Sequence, residues 1–239
     1  MAVHPSGSYS VIGGGGPRPY AKDVNRLISS LVPTGKVFCQ DDFEAATLKW
    51  QNTGGTTARD TTAYMPFMGT ACLEVTSPAT INDQNITRRR FSLPRNKTLG
   101  LEFRFLITDL TLMKIIIALD MYDGSQVKTA EFQYLPADEK WQYAGVPFGW
   151  DDLPGGSQPV WNVEAHQHIK FVADFDNLRY SYLCIGGNVI DMSSLAFDSR
   201  SNTSDPYLSL QFTVRTYENV AKSMFIDDLI LTSEEVMIA

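Results

Sequence analysis

The chain has 239 residues, 44% hydrophobic and 20% charged, which is enough apolar material for one large core with a short extension. Acidic residues outnumber basic ones by 27 to 20, for a formal net charge of −7. That balance excludes a sequence-independent nucleic-acid binder, whose affinity comes from Lys and Arg on phosphate, and no apolar run has the length of a membrane span.

Residues 1–36 read differently from the rest. Met1 to Tyr20 holds Pro, Ser and a Gly run in place of an apolar core, so no signal peptide is legible and synthesis in the cytoplasm is expected. Gly13 to Gly16 followed by Pro17-Arg18-Pro19 gives a flexible stretch with a stiffer continuation. Val24, Leu27, Ile28 and Leu31 then recur at helical spacing until Pro33 and Gly35 stop the pattern. A helix of about three turns is marginal alone. Its apolar stripe must dock on its own domain or on a neighbouring chain, and the sequence leaves both open.

From residue 37 to 239 the chain reads as strand after strand. Candidates in order are Ala71–Thr76, Ile86–Ser92, Leu101–Ile107, Lys114–Tyr122, Thr129–Leu135, Ile169–Phe175, Tyr180–Ile185, Val189–Asp191, Leu208–Val214 and Phe225–Thr232. Several alternate cleanly. Leu208, Leu210, Phe212 and Val214 set one face, and Ser209, Gln211, Thr213 and Arg215 the other, as in antiparallel sheets with one wet side. Arg88-Arg89-Arg90 reads as a solvated strand or as an electrostatic contact with an acidic partner, while Tyr143 to Ala165 is the longest irregular region expected. Cys39, Cys72 and Cys184 form no tight spacing and read as free thiols. The sum is an all-β, two-sheet antiparallel jelly-roll sandwich with a short N-terminal arm and one short helix.

Two acidic segments mark the ends of that sandwich. Asp41-Asp42-Phe43-Glu44 precedes Trp50, and Phe225-Ile226-Asp227-Asp228-Leu229 lies near the C-terminus. Strict alternation puts Phe225, Asp227, Leu229 and Leu231 on one face and Met224, Ile226, Asp228 and Ile230 on the other. Whichever face packs inward then carries a carboxylate, which must be paired, hydrogen-bonded or metal-bound. With Gly69 to Val75, His168 to Phe175 and the Tyr180–Val189 hairpin, this arrangement resembles the concanavalin A-like and carbohydrate-binding-module jelly rolls over residues 41–232. The resemblance implies a structural calcium ion between the first and last strands, with Glu44 and Asp227 as side-chain ligands, assisted by Asp42 or Asp228 and completed by carbonyls. The bland alternative is that these acids cap turns or pair with Lys and Arg.

No catalytic constellation is legible. The compact Glu-x-Asp-x-x-Glu strand of related hydrolases is missing, Asp138-Glu139 and Asp151-Asp152 sit in loop-like sequence, and there is no nucleophile elbow. His166 and His168 share one side of a strand but lack a third ligand nearby, so they read as a polar pair at a strand edge. A non-enzymatic protein is therefore expected. Exposed aromatics would serve a sugar, because a ring face stacks on the apolar face of a pyranose. Trp150, Tyr143 and Trp161 are the candidates, with Trp150 the best platform, while Trp141 reads more simply as a core plug.

Two functional expectations follow. The first is a structural subunit of a virus or phage particle, a capsid decoration or tail-associated jelly roll. It would be homo-oligomeric, with residues 1–36 tying it to itself or to other virion subunits, and it could also adhere to surface glycans. The second is a lectin-like carbohydrate-binding module with a structural calcium, extracellular or at a cell surface. Neither expectation includes a nucleic acid or a membrane as partner.

Overall fold

The computed structural model describes residues 35–61, 66–67, 69–147, 149–155, 166–235 and 237. They belong to a compact unit spanning Gly35–Ala239. The expected helix over 24–31 and all but the last two residues of the expected arm lie outside the described residues, as does Trp161. Lys36, placed in the arm by sequence, instead opens the first strand.

Sixteen strands run through the described residues. They are β1 Lys36–Asp41, β2 Gln51–Thr53, β3 Thr56–Asp60, β4 Cys72–Thr76, β5 Gln84–Phe91, β6 Thr98–Ile107, β7 Met113–Tyr122 and β8 Gln126–Leu135. After a 3₁₀ turn at Pro136–Asp138 come β9 Lys140–Gly145, β10 Gly149–Asp152, β11 Gln167–Asp174, β12 Arg179–Ile185, β13 Asn188–Asp191, β14 Ser199–Ser201, β15 Tyr207–Thr216 and β16 Ser223–Ser233. The first sheet has the order β13-β12-β11-β6-β16-β4-β3, with β1 also on β16; the second has the order β10-β9-β8-β7-β15-β5-β2, with β14 on β8. All their pairings are antiparallel.

Alternation explains the sandwich. Leu101, Phe103 and Phe105 of β6 face Ile117, Leu119 and Phe212 of the second sheet across one continuous buried core. Phe103 meets Phe212 edge to face at 5.2 Å, a favoured aromatic geometry. Trp141 plugs this core as expected, stacked on Tyr134 at 4.8 Å. The core sits between the sheets, which leaves two outer faces to differ.

The first and last strands do meet. β1 pairs with the second half of β16, Asp41 opposite Leu229, while the first half of β16 pairs with β4. The changeover corrects the alternation expected at this segment. The register against β6 shifts between Asp227 and Ile230, and Asp228 adopts a left-handed φ of 50°. One extra residue is thereby inserted, as in a β-bulge. Met224, Ile226, Leu229 and Leu231 consequently all join the core, while Asp227, opposite Arg104, turns to the outer side of the first sheet. A second correction concerns residues 143–165, read as irregular. Their first part forms the β9–β10 hairpin, so Asp151 and Asp152 belong to a strand.

Candidate functional site

The outer face of the second sheet is assembled from the residues that alternate with the core. Cross-strand partners stand on the same face. Leu210 and Leu119 point inward, so Arg90, Ser209, Asp120 and Thr129 form one outward row across β5, β15, β7 and β8. The next row holds Arg88, Gln211, Ala118 and Glu131. A third runs through Thr213, Ile116, Gln133, Gln142 and Asp152. In the middle row Ala118 is the small residue between Gln211 and Glu131, so the floor dips there. From β5 to β10 the face is about 24 Å wide, at ~4.8 Å per strand.

Polar side chains line this floor in hydrogen-bonded groups. Gln133 donates to Gln142, which donates to Asp152 at 2.8 Å, and Lys140 closes the chain on Asp152 at 2.7 Å. Thr129 Oγ1 donates to Asp120 Oδ1 at 2.8 Å. Toward the far end, Tyr122 and Tyr207 stack at 4.2 Å with 18° between their planes, and the Arg90 guanidinium lies 4.5 Å over Tyr207.

Glu131 is the electrostatic centre. Burial raises its carboxyl to about 7, with Asp120 adding to the rise and Arg200 and Lys114 opposing it. Asp120 is also raised, chiefly by burial, against the Thr129 hydrogen bond and Arg200. No hydrogen bond to the Glu131 carboxylate is found among the described residues. Its backbone, by contrast, is clamped from within. The hydroxyl of the core residue Tyr180, carried by β12 of the first sheet, accepts from Glu131 N–H at 3.1 Å and lies 3.0 Å from the Ala144 carbonyl. The packed core thereby fixes where this acid stands.

The aromatic trio expected from sequence does not form one platform. Trp150 pairs with Ala144 and stands half-buried on the outer side of the β9–β10 hairpin. Tyr143, one residue earlier on β9, pairs with Phe132 and points the other way, edge-on to Tyr180 at 5.7 Å. Asp120, Glu131 and Gln211 carry no site signal in the sequence, where Arg88 belongs to the basic run Arg88-Arg89-Arg90. The alternating pattern exposes each one, but only the register brings them together.

At the seam, the four acids expected to hold calcium are engaged by the protein. Glu44 Oε2 accepts from Thr70 Oγ1 at 2.7 Å and lies 3.7 Å from Arg59. Asp42 Oδ1 accepts from Glu44 N–H at 3.2 Å, Asp227 Oδ1 from Asp228 N–H at 2.9 Å, and Asp228 faces Arg104 at 3.6 Å. Asp41 takes Arg89 and the Trp50 indole N–H. Among the described residues no three His, Cys, Asp or Glu side chains gather as a group that could hold a metal ion. The set fits turn caps and ion pairs better than a calcium shell. His168, expected as a strand-edge group, bonds Glu102 at 2.7 Å on the outer side of the first sheet, and His166 precedes β11 with its ring 5.8 Å from Phe67.

No protein-family model matches the chain, and no curated protein sequence does. Solved structures match it by shape. The cellulose induced protein Cip1 shares 15% identity over 84% of this chain and 100% of its own, with a TM-score of 0.57. The fold is a two-sheet antiparallel jelly-roll sandwich. A protein of unknown function, SO2946 from Shewanella oneidensis MR-1, shares 12% identity over 95% of this chain and 100% of its own, at a TM-score of 0.50. The CBM2 module of the Lactobacillus casei BL23 phage J-1 evolved Dit shares 10% over 87% and 100%, at 0.47. At these identities the likeness is one of fold, and function has to be argued from the site.

Proposed function

We propose that this chain is a non-enzymatic carbohydrate-binding protein that holds a polysaccharide across the outer face of its second sheet. The observation that carries the reading is the row Arg88, Gln211, Ala118 and Glu131, open on a half-exposed sheet with Trp150 at its rim. Hydroxyl-rich chains need planar donors and acceptors that converge on a shallow trough, with an aromatic face for the apolar side of a ring. Guanidinium, amide and carboxyl groups supply the first, and Trp150 with the Tyr122–Tyr207 stack the second. The test is affinity electrophoresis through gels containing neutral or acidic polysaccharides, with a reducing-end assay run in parallel. Retardation that falls in Trp150→Ala and Gln211→Ala, with no new reducing ends, is the expected result. No retardation in any gel, or release of products, would overturn the proposal.

A second reading, assembly of a virus or phage particle through residues 1–36, is favoured by the Gly13–Gly16 stretch and the apolar spacing of Val24, Leu27, Ile28 and Leu31. It is compatible with the first, since a particle subunit can carry a glycan-binding face. Size-exclusion of the full chain against a chain lacking residues 1–34 tests it: the larger species should be lost, and two identical monomer peaks would remove the reading.

A further inference from the structure

The charges on this face do not follow the rest of the molecule. The protein is acidic overall, and away from this face most described cations are matched to a carboxylate: Lys36 to Glu234, Arg59 to Glu44, Arg89 to Asp41, Arg104 to Asp228, Lys128 to Asp123, Lys170 to Glu235 and Lys222 to Asp109. On the outer face of the second sheet the balance reverses. Arg88, Arg90, Arg200, Lys114, Arg215 and Lys140 project there against the three carboxylates Asp120, Glu131 and Asp152. Those carboxylates are also the better neutralised groups. Asp152 is bonded by Lys140 and Gln142, and Asp120 by Thr129 with Arg200 nearby. Glu131 is held toward its neutral form by burial. Arg88, Arg90 and Lys114 have no carboxylate within salt-bridge distance among the described residues. Arg88 and Arg90 stand on one strand two residues apart, about 7 Å along the sheet, with Gln211 beside Arg88.

Resting on the carbohydrate-binding reading above, we infer that the polymer held on this face is anionic, with its acidic groups taken by Arg88 and Arg90 and its hydroxyls by Gln211 and Glu131. A guanidinium offers paired N–H donors that match a carboxylate or an ester oxyanion in a way a lone ammonium does not. The cation excess on this face does little for stability, because surface charges are worth little to the fold even where they pair. It is well explained by an anion that arrives with the ligand. The chemistry is shared by uronate carboxylates and by sulfate or phosphate esters.

The experiment is a titration of the full-length chain with a neutral β-glucan, a polyuronate and a sulfated galactan, at low and at physiological salt. One or both acidic polymers should bind at least about tenfold more tightly than the neutral one, the difference one charge-assisted contact provides, and that preference should shrink with salt. Preference for the polyuronate assigns carboxylates, and preference for the galactan assigns esters. Arg88→Gln should weaken acidic binding about tenfold, whereas Lys36→Gln, which removes the same charge on the other sheet, should leave it unchanged. Equal losses in both variants, or a neutral polymer bound as tightly as the acidic ones, would overturn the inference and leave the binding face standing. Failure of all three polymers to bind would count against the carbohydrate reading itself.

Discussion

The two outer faces of this sandwich are built from the same alternating strands and treat their charged groups in opposite ways. Outside the first sheet, Leu106, Val172, Tyr182, Cys184 and Phe225 are buried although they point away from the core between the sheets. The ions there are internal pairs: Lys170 with Glu235 at 2.9 Å, His168 with Glu102 at 2.7 Å, and Arg104 with Asp228 under the Phe67 ring at 3.6 Å. Gly100 allows the tail to close down, because a Cβ there would stand 2.6 Å from the Glu235 carboxylate. Outside the second sheet, Ser209, Thr213 and Gln133 are buried, but Arg88, Gln211 and Glu131 are half-exposed and Arg90 exposed, and neither arginine has a carboxylate within salt-bridge distance among the described residues. A sheet face that satisfies its own charges stabilises the fold, whereas one that leaves donors open is available for contact.

The largest effect that separates the faces should come from Lys170, 1% exposed in its side chain. Lys170→Ala leaves Glu235 buried without its cation and should cost about 3–5 kcal/mol, as broken buried pairs do, read as a lower urea midpoint with polysaccharide affinity unchanged. A loss below about 1 kcal/mol would show that the first sheet is not closed in this way. On the second sheet the pattern should invert. Gln211→Ala should change stability by less than about 0.5 kcal/mol, as surface substitutions do, yet weaken polysaccharide retention several-fold. A Gln211→Ala protein that unfolds early and still binds would contradict the comparison.

The same division should appear against pH. Glu131, raised to about 7 from an ordinary value of 4.5, binds more protons folded than unfolded between those values. Stability therefore falls as pH rises through that window, and Glu131→Gln should remove that slope and gain on the order of 1–3 kcal/mol above pH 7. His168 acts in a higher window. Burial pulls it down, but hydrogen bonds with Cys184 and Glu102 prevail and raise it from 6.5 to about 9. Its contribution is full below 6.5 and is lost as pH rises through 9, so Glu102→Gln should flatten only the upper limb of a melting-temperature profile. A single shared transition in both variants would mean the two groups are not independent. The smallest expected effect is at the seam, where the acids are engaged by Thr70, Arg59 and Arg104. Calcium or EDTA should leave Tm unmoved, and a clear rise with calcium would restore the shell the fold resemblance implied.

Much of the architecture was legible because alternation is a local property. Leu101 to Ile107 and Leu208 to Val214 show their inner face in every second letter, and both became central strands. Asp227-Asp228 could not be read that way. The left-handed turn at Asp228 exists because β16 changes partner from β4 to β1, a fact of topology that shifts every later side chain to the other face. The β9–β10 hairpin was hidden by its Gly and Pro content, and with it the reason why Tyr143 and Trp150 part company. The polar row of the second sheet was hidden for another reason. Glu131, Arg88 and Gln211 lie on three separate strands, and each looks like ordinary wet-face sequence until register sets them side by side.

The most direct test of the open face is backbone and side-chain NMR of the protein titrated with a short oligomer of whichever polysaccharide retards it most. Shifts should concentrate on Arg88, Gln211, Ala118, Glu131, Gln133 and the Trp150 indole. Shifts centred on Phe67, Arg104 and Val189 instead would place the ligand on the first sheet and contradict it.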